Sequence, residues 1–396
     1  MAGNHRVVAL NLGTANIVAV QGLVDDAPQG KRTAVVEKIA TMPTPTGAVR
    51  ANGVYNPAAI TEALRELWRR DGLQTKNVIV GLDSRRIQSG LKWIDHYHPE
   101  DLAYAAKAAW VNAQQILPSK VDAQTSTIHH YVLRERDIEN KATGLTTSQI
   151  LVLIIAVPTV EAQALANIVE DTGMELVGMD LTALGMLRAA NTPTYDDRRV
   201  VHMLVDIGET FVTMVLHNNG NVRAIDTTSG SAGDSVSRAI GEELSRMSRD
   251  LGASTLDPTH IKRTLGEMVK SNAEDPVTKR ALAATVHQAD GVFRDMDTFV
   301  SGYIRRVNET PAITAPGSAP AHNNEERGLM AIMLTGGGSI LYGLGHQLEQ
   351  GFNIPVSQAL VSNSFAMPDG ARVPAFVNGT SVVSAVGLLT ADRKAV

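Results

Sequence analysis

Two short stretches end an apolar run on a polar side chain and follow it at once with a glycine turn. Asp206-Ile207-Gly208-Glu209-Thr210 interrupts the run 204–216, and Asn11-Leu12-Gly13-Thr14-Ala15-Asn16 interrupts the run 8–18. A carboxylate at a strand end can meet a hydrated magnesium ion, and the glycine behind it lets backbone N–H groups approach phosphate oxygens closely. Asp206 is therefore a candidate metal ligand. Asn11, being neutral, offers weak coordination or a hydrogen bond. A plain β-turn with Asx bonding explains either stretch taken alone. Their recurrence about half a chain length apart favours paired turns that clamp a polyphosphate from two sides.

Two further glycine elements join them. Ser229-Gly230-Ser231-Ala232-Gly233-Asp234 lies between an expected strand and an expected helix. Its backbone suits an anion, or Asp234 simply caps the helix. Thr335-Gly336-Gly337-Gly338-Ser339 follows the apolar strand 331–334 and precedes an amphipathic helix expected over 340–350. Three consecutive glycines there would let a ribose–phosphate lie on the backbone. Neither the Walker pattern nor the spaced dinucleotide fingerprint is present. Other polar residues read as bland: His96, His98, His129 and His130 lack the spacing of a zinc pair, Trp68 and Trp93 read as packing residues, and Glu242-Glu243 as a solvated helix face.

The elements that must position these turns follow from pattern. Each turn opens a strand–turn–strand unit with a third strand, 33–39 in the first half and 221–227 in the second, then a helix, 56–70 and 234–251. Residues 84–158 are extra: a helix from Pro99 to about Gln115, a polar strand region with a tip near 139–147, and a buried strand ending at Val157. A helix over 160–172 stopped by Gly173, a strand over 174–180 and a helix over 181–190 complete the first half. Residues 311–327 read as a surface loop and 382–390 as a helix.

Composition bounds the rest. The chain has 396 residues, 44% hydrophobic and 19% charged, which fits two globular domains or more. A net charge of −5 argues against general nucleic-acid binding. There is no cysteine, which removes disulfides and thiolate chemistry. The opening residues lack a charged leader before a long apolar core, and the longest apolar run, 150–158, is too short to span a bilayer. A soluble, cytoplasmic protein without direct membrane insertion is expected.

The order of motifs resembles the actin-like ATPase superfamily. Residues 10–16 resemble its first phosphate motif, 205–210 its second, 334–339 its adenosine motif, and Gly178-Met179-Asp180-Leu181 and Ser384-Ala385-Val386-Gly387-Leu388 its two connecting motifs. Within it, the chain is similar to the PilM family of type IV pilus assembly proteins, relatives of the division protein FtsA. The early insertion, the Trp110 helix running into Ile116-Leu117-Pro118, and the segment from Ile154 to Asp180 carry that likeness. Nine residues follow Gly387, so an FtsA-type membrane helix is not expected.

The resemblance implies an α/β, actin-like fold: two related ribonuclease-H-like domains around a nucleotide cleft, with an inserted α+β subdomain in the first half. The expected division is 1–84 plus 158–198, 85–157 inserted, and 199–396 with its own insertion at about 240–328. It implies ATP with Mg2+ as ligands, held by Asn11, Gly13, Thr14, Ala15, Asn16, Asp206, Gly208, Glu209, Thr210, Gly233, Asp234, Gly336, Gly337, Gly338 and Ser339. Lys262 either meets the adenine side or is a solvated helix charge. The implied partner is the N-terminal peptide of a PilN-like bitopic membrane protein, in a groove between the first subdomain and the insertion, sought along Val78–Gly81 and Arg85-Arg86. A pilus assembly ATPase and a second copy of the chain are further implied partners. The implied location is peripheral to the inner membrane.

Three departures bear on activity. Asn11 stands where the family has aspartate, Val18 where a lysine is common, and Ser231-Ala232 where a Gly-Gly pair is usual. Nucleotide binding with slow or absent hydrolysis is the expectation. The alternatives are an FtsA- or MreB-like division or cytoskeletal filament protein and a small-molecule kinase of the same fold, for which no general base can be assigned.

Overall fold

Alternation in two apolar runs sets the architecture. In the first, β1 (His5–Leu12) turns into β2 (Asn16–Asp25) and then β3 (Thr33–Pro43), each pair antiparallel. The computed structural model describes residues 5–25, 33–95, 105, 107–108, 110, 123–140, 144–192, 200–251, 257–308, 328–363, 365–366 and 382–391. The expected loop at 311–327 and most of the expected helix at 99–115 lie outside these residues.

After β3 come a small hairpin, β4 (Val49–Arg50) and β5 (Gly53–Val54), and the helix α1 (Pro57–Asp71). Helix α1 starts where Asn56 accepts a bond from the Ala59 N–H and Pro57 presets the backbone. It ends at Gly72, whose φ of 60° is the left-handed cap. Strand β6 (Asn77–Leu82) then runs parallel beside β1.

The extra segment is a separate three-stranded sheet. Its strands are β7 (Gln88–Asp95), β8 (Ser126–Asn140) and β9 (Leu145–Pro158), in the order β7-β9-β8. Trp110 packs on Gly90 and joins Ile94, Ile150, Val152, Ile154 and Ala156 in a core of its own. The chain returns through α2 (Thr159–Asp171), β10 (Glu175–Leu181), which extends the first sheet beyond β6, and α3 (Thr182–Ala189).

The second half repeats the plan. β11 (Val200–Ile207), β12 (Val212–Asn218) and β13 (Asn221–Thr228) form a meander, followed by the helices α4 (Gly233–Leu251), α5 (Pro258–Asn272) and α6 (Pro276–Asn308). β14 (Gly328–Thr335) then pairs parallel with β11, and β15 (Val356–Gln358) with β14, after α7 (Leu344–Phe352). The two sheets read β3-β2-β1-β6-β10 and β13-β12-β11-β14-β15, the same order in each half.

Two differences from expectation stand out. The helix expected over 340–350 begins only at Leu344, because the glycines form a 3-10 turn, Gly337–Ile340, and Gly343 takes a φ of 80°. The boundary at 199 is crossed as well: β16 (Phe365–Ala366) pairs with β3 of the first sheet, and the Ser362 N–H donates to the Ala189 carbonyl.

Period-two alternation sends β1 side chains to two cores. Val8 and Leu10 pack with Ile60, Leu64 and Leu67 of α1 and with Ile168 of α2. Val7 and Ala9 face the other way, toward α3 and α8 (Val383–Leu388), and that core also takes Leu204 and Val215 of the second sheet. Helices α3 and α8 therefore lie between the sheets. They cross backbone on backbone: a Cβ on Gly387 would overlap the Gly185 carbonyl, and one on Gly185 would lie 2.6 Å from the Ser384 carbonyl. We expect Gly387→Ala to cost roughly 3 kcal/mol and to lower the Tm. Gly302→Ala, in α6 with open space around it, should instead raise stability by up to about 1 kcal/mol. Denaturant unfolding of the two variants checks the opposite signs.

Candidate functional site

The strand β11 is buried along its whole length except at Asp206. That exception is where the second half builds its site. The Gly208 N–H donates to the Phe211 carbonyl at 3.0 Å, closing the turn, and a Cβ on Gly208 would sit 3.0 Å from that same oxygen. The turn is tied to the start of α4: the Gly233 N–H donates to the Gly208 carbonyl at 2.9 Å, and the Asp234 N–H to the Glu209 carbonyl at 2.6 Å.

This bears on the anion reading of 229–234 at two of its residues. The N–H groups of Gly233 and Asp234 are committed to the turn and not offered to a ligand. Nor is Asp234 the helix cap; it lies within the first turn of α4 and pairs with Arg238 at 3.2 Å. The two residues support Gly208–Thr210 from behind.

Lys262 is also placed otherwise than expected. Its ammonium lies 3.0 Å from Glu209 Oε2 and donates to the Gly233 carbonyl at 3.0 Å. With its side chain only 14% exposed, it is not a solvated helix charge. It fastens α5 to the turn through Glu209. Glu243, expected on a solvated face, reaches Arg280 of α6 at 3.1 Å.

The glycine run after β14 forms a wall against β11. Gly336 has a φ of 81°, and a Cβ there would overlap Asp206 Oδ1 and lie 2.7 Å from the Ile207 carbonyl. At Gly338 a Cβ would meet the Ile207 carbonyl at 2.9 Å, while around Gly337 there is open space. Gly337 is thus the stretch of bare backbone that a flat ligand could approach. Ser339 is buried, and its one hydroxyl proton has two acceptors in reach, the Gly336 carbonyl at 2.8 Å and Gln358 Oε1 at 3.0 Å. It shapes the wall from within.

The first turn is held from β3's end. The Thr44 hydroxyl donates to the Gly13 carbonyl at 2.6 Å, and the Thr44 N–H to the Ala15 carbonyl at 3.0 Å. A Cβ on Gly13 would sit 2.7 Å from the Asn16 carbonyl, so the turn needs glycine. Asn11 faces Val18 across the hairpin as Asp206 faces Thr213 across its own. Thr14, Ala15 and Asn16 remain partly or fully exposed at the turn.

Three residues were missed in the sequence. Asp83 follows β6, and its Oδ1 lies 3.5 Å from the hydroxyl of Thr213, the residue opposite Asp206. Burial and the charge of Asp206 push the Asp83 carboxyl well above the usual range. Asp206 is pushed up to about 6 by burial, with the Ser384 hydroxyl donating to its Oδ2 at 3.2 Å as a partial offset. So the carboxylates of the two halves face one another. The sequence signal was there: Leu82-Asp83 ends an apolar strand on an acid just as Val205-Asp206 does. Ser384, on α8, was read as part of a connecting motif. Tyr342, 39% exposed, packs on Gly266 of α5, beside the helix face that carries Lys262.

Asp83, Asp206, Thr213 and Ser384 offer oxygen atoms only, and two carboxyl groups share the space. That donor set fits a hard divalent cation such as hydrated Mg2+. The groove expected along Val78–Gly81 is not available: Val78, Ile79 and Val80 are buried, and β6 is paired on both sides.

No protein-family model matches the chain, and no curated protein matches it in sequence. Among solved structures, a "PilM-PilN type IV pilus biogenesis complex" aligns with a TM-score of 0.68 and 17% identity, over 96% of this chain and 97% of that one. MreB5 of Spiroplasma citri bound to ADP aligns at 0.49 and 13%, over 97% and 94%. EutJ of Carboxydothermus hydrogenoformans aligns at 0.48 and 13%, over 98% and 90%. The first likeness shows the fold: this chain has the actin-like ATPase fold. Among the described residues no helix is long and apolar enough to cross a membrane.

The Asp206 shift has a consequence for the free protein. Its folded pKa, about 6, lies above the 3.8 of an ordinary aspartate, so between those values the native state binds more protons than the unfolded chain. Stability therefore falls as pH rises through that window, and the cost is fully present above it. His217, pushed down to about 3 by burial, moves stability the opposite way, so the quantity to read is variant minus wild type. Asp206→Asn should be more stable than wild type by on the order of 1–3 kcal/mol at pH 7.5, with the difference vanishing near pH 4. Urea unfolding at the two pH values checks it.

Proposed function

We propose that the chain is a nucleotide-binding scaffold of the PilM kind, which binds ATP or ADP with Mg2+ in the gap between its two sheets. The observation that carries this reading is the wall of Gly336 and Gly338 against Asp206, with open backbone at Gly337, on a fold shared with the PilM–PilN structure. The phosphates would lie on the backbone of Gly208–Thr210 from one side and Gly13–Asn16 from the other. Mg2+ would neutralise them beside Asp206, with Asn11 as a neutral neighbour. Tyr342 would offer a face to the base, above α5. Binding, and not turnover, is the function proposed, because Asn11 takes the place of a carboxylate.

The domain division that goes with this reading is 1–84 with 158–198, an inserted unit at 85–157, and 199–396 apart from the segment around β16. The partner proposed is a PilN-like membrane protein, bound through a cytoplasmic N-terminal peptide and holding the chain at the inner membrane. In place of β6, the surface that suits a peptide is where the inserted sheet leaves the first one. There Tyr55 and Val160 are 68% and 64% exposed, and the Arg50 guanidinium lies 3.8 Å over the Tyr55 ring.

Asp206→Ala should weaken Mg2+-dependent binding of a fluorescent ADP analogue by about tenfold or more while circular dichroism shows an intact fold. Equal affinity in variant and wild type would return Asp206 to a plain turn. Affinity purification of the tagged chain from its own solubilised membranes should recover a single-pass membrane protein with a short cytoplasmic N-terminus. Recovery of the chain alone, as a polymer, would overturn the partner reading.

A further inference from the structure

The connection between β6 and β7 is five residues long, 83–87, and its side chains alternate between two sites. Asp83 and Arg85 point into the gap between the sheets. Asp83 meets Thr213 at 3.5 Å, and Arg85 donates to the Ser229 hydroxyl at 2.9 Å. Ser84 and Arg86 turn instead to Glu161, beneath the surface where the inserted sheet leaves the first. Arg86 pairs with Glu161, at the start of α2, at 3.1 Å, and the Ser84 hydroxyl bonds the same carboxylate. A Cβ on Gly53 of the small β4–β5 hairpin would lie 3.5 Å from the Glu161 carboxyl, and the Arg85 N–H donates to the Ala51 carbonyl of that hairpin at 3.0 Å.

The connection has little room to absorb movement by itself. The Arg86 N–H donates to Ser84 Oγ and the Ile87 N–H to the Ser84 carbonyl, each at 3.1 Å. Ser84 is buried. At the far end, Ser229 sits in the loop that leads into α4, whose first N–H groups hold the Gly208–Glu209 turn. A displacement of that turn therefore moves the start of α4 and Ser229 with it, and Arg85 is attached to Ser229.

We propose that residues 83–87 are a relay, with Arg85–Ser229 as its input and Arg86–Glu161 as its output, that couples occupancy of the cleft to the surface around Glu161 and the 49–54 hairpin. The proposal rests on the nucleotide reading above and says how that site regulates the partner surface. A ligand shifts such a surface only by differing in affinity for its two arrangements. The differential contact here is the position of the Gly208 turn, read through one hydrogen bond.

Hydrogen exchange with mass spectrometry on the whole chain, with and without saturating Mg2+ and ADP, tests it. In the wild type, ADP should slow exchange about fivefold or more both in the turn 208–211 and at the remote segments 49–54 and 159–163. In Arg85→Ala, the protection at 208–211 should persist and that at the remote segments should be lost. Ser229→Ala cuts the same bond by removing one hydroxyl, and should lose the remote protection in a fold that Arg85→Ala could disturb. Protection of 208–211 without any at the remote segments in the wild type overturns the relay alone, as does remote protection that survives in both variants. No protection anywhere overturns the nucleotide reading and the relay with it.

Discussion

The close crossing of α3 and α8 is the constraint on which the rest depends. Two helices can touch backbone to backbone only where neither carries a side chain at the contact, and Gly185 and Gly387 satisfy that on both sides. The crossing sets how far apart the sheets stand. Leu388 reaches Gly81 of β6, Leu389 reaches Gly22 of β2, and Ser384 bonds Asp206 of β11. Arg188 of α3 holds the Gly387 carbonyl at 3.2 Å and also pairs with Asp180. One six-residue helix thus touches both halves, and Asp83 faces Asp206 because α8 fixes the spacing between β6 and β11.

Much of this was legible because it repeats. The two strand–turn–strand units share a pattern in sequence, and the sheets built from them share a strand order. The glycine turn after β14 was legible too, since a buried strand followed by three glycines leaves few other uses for the backbone. What pattern could not give was partnership. Gly233 and Asp234 look like free donors at a helix start until the Gly208 and Glu209 carbonyls are seen to occupy them. Lys262 looks like a ligand group or a solvent charge, and Glu209, 53 residues away in sequence, removes the solvent charge. Ser339 belongs to a motif yet faces inward to Gln358.

Short elements were the other blind spot. β16 is two residues long, so it carries no periodicity to read, yet it joins the C-terminal part of the chain to the first sheet. Val78–Gly81 failed as a groove for the opposite reason: the groove came from the family resemblance, while the run's own continuous burial marks a central parallel strand. The Leu82-Asp83 pattern is weak by itself, because a single acid after a strand is common. Only its place opposite Asp206 gives it meaning.

On the proposed nucleotide reading, the charges favour a polyphosphate that carries its cation with it. Lys262 is held by Glu209, and Asp83 and Asp206 add two acidic groups that no cation offsets in the factors governing their ionisation. A polyphosphate approaching alone would meet like charge at Asp206 and a second acid at Asp83. A polyphosphate carrying a divalent cation would bring the missing charge with it, in a space whose donors are all oxygen. Asn11 fits this balance. β1 and β6 are parallel neighbours, so their ends open on the same edge of the sheet, and the first half presents its acid from β6 while β1 stays neutral. A carboxylate at position 11 as well would put two acids on that edge, facing Asp206 of the other sheet, and raise the cost of closing the cleft around anything.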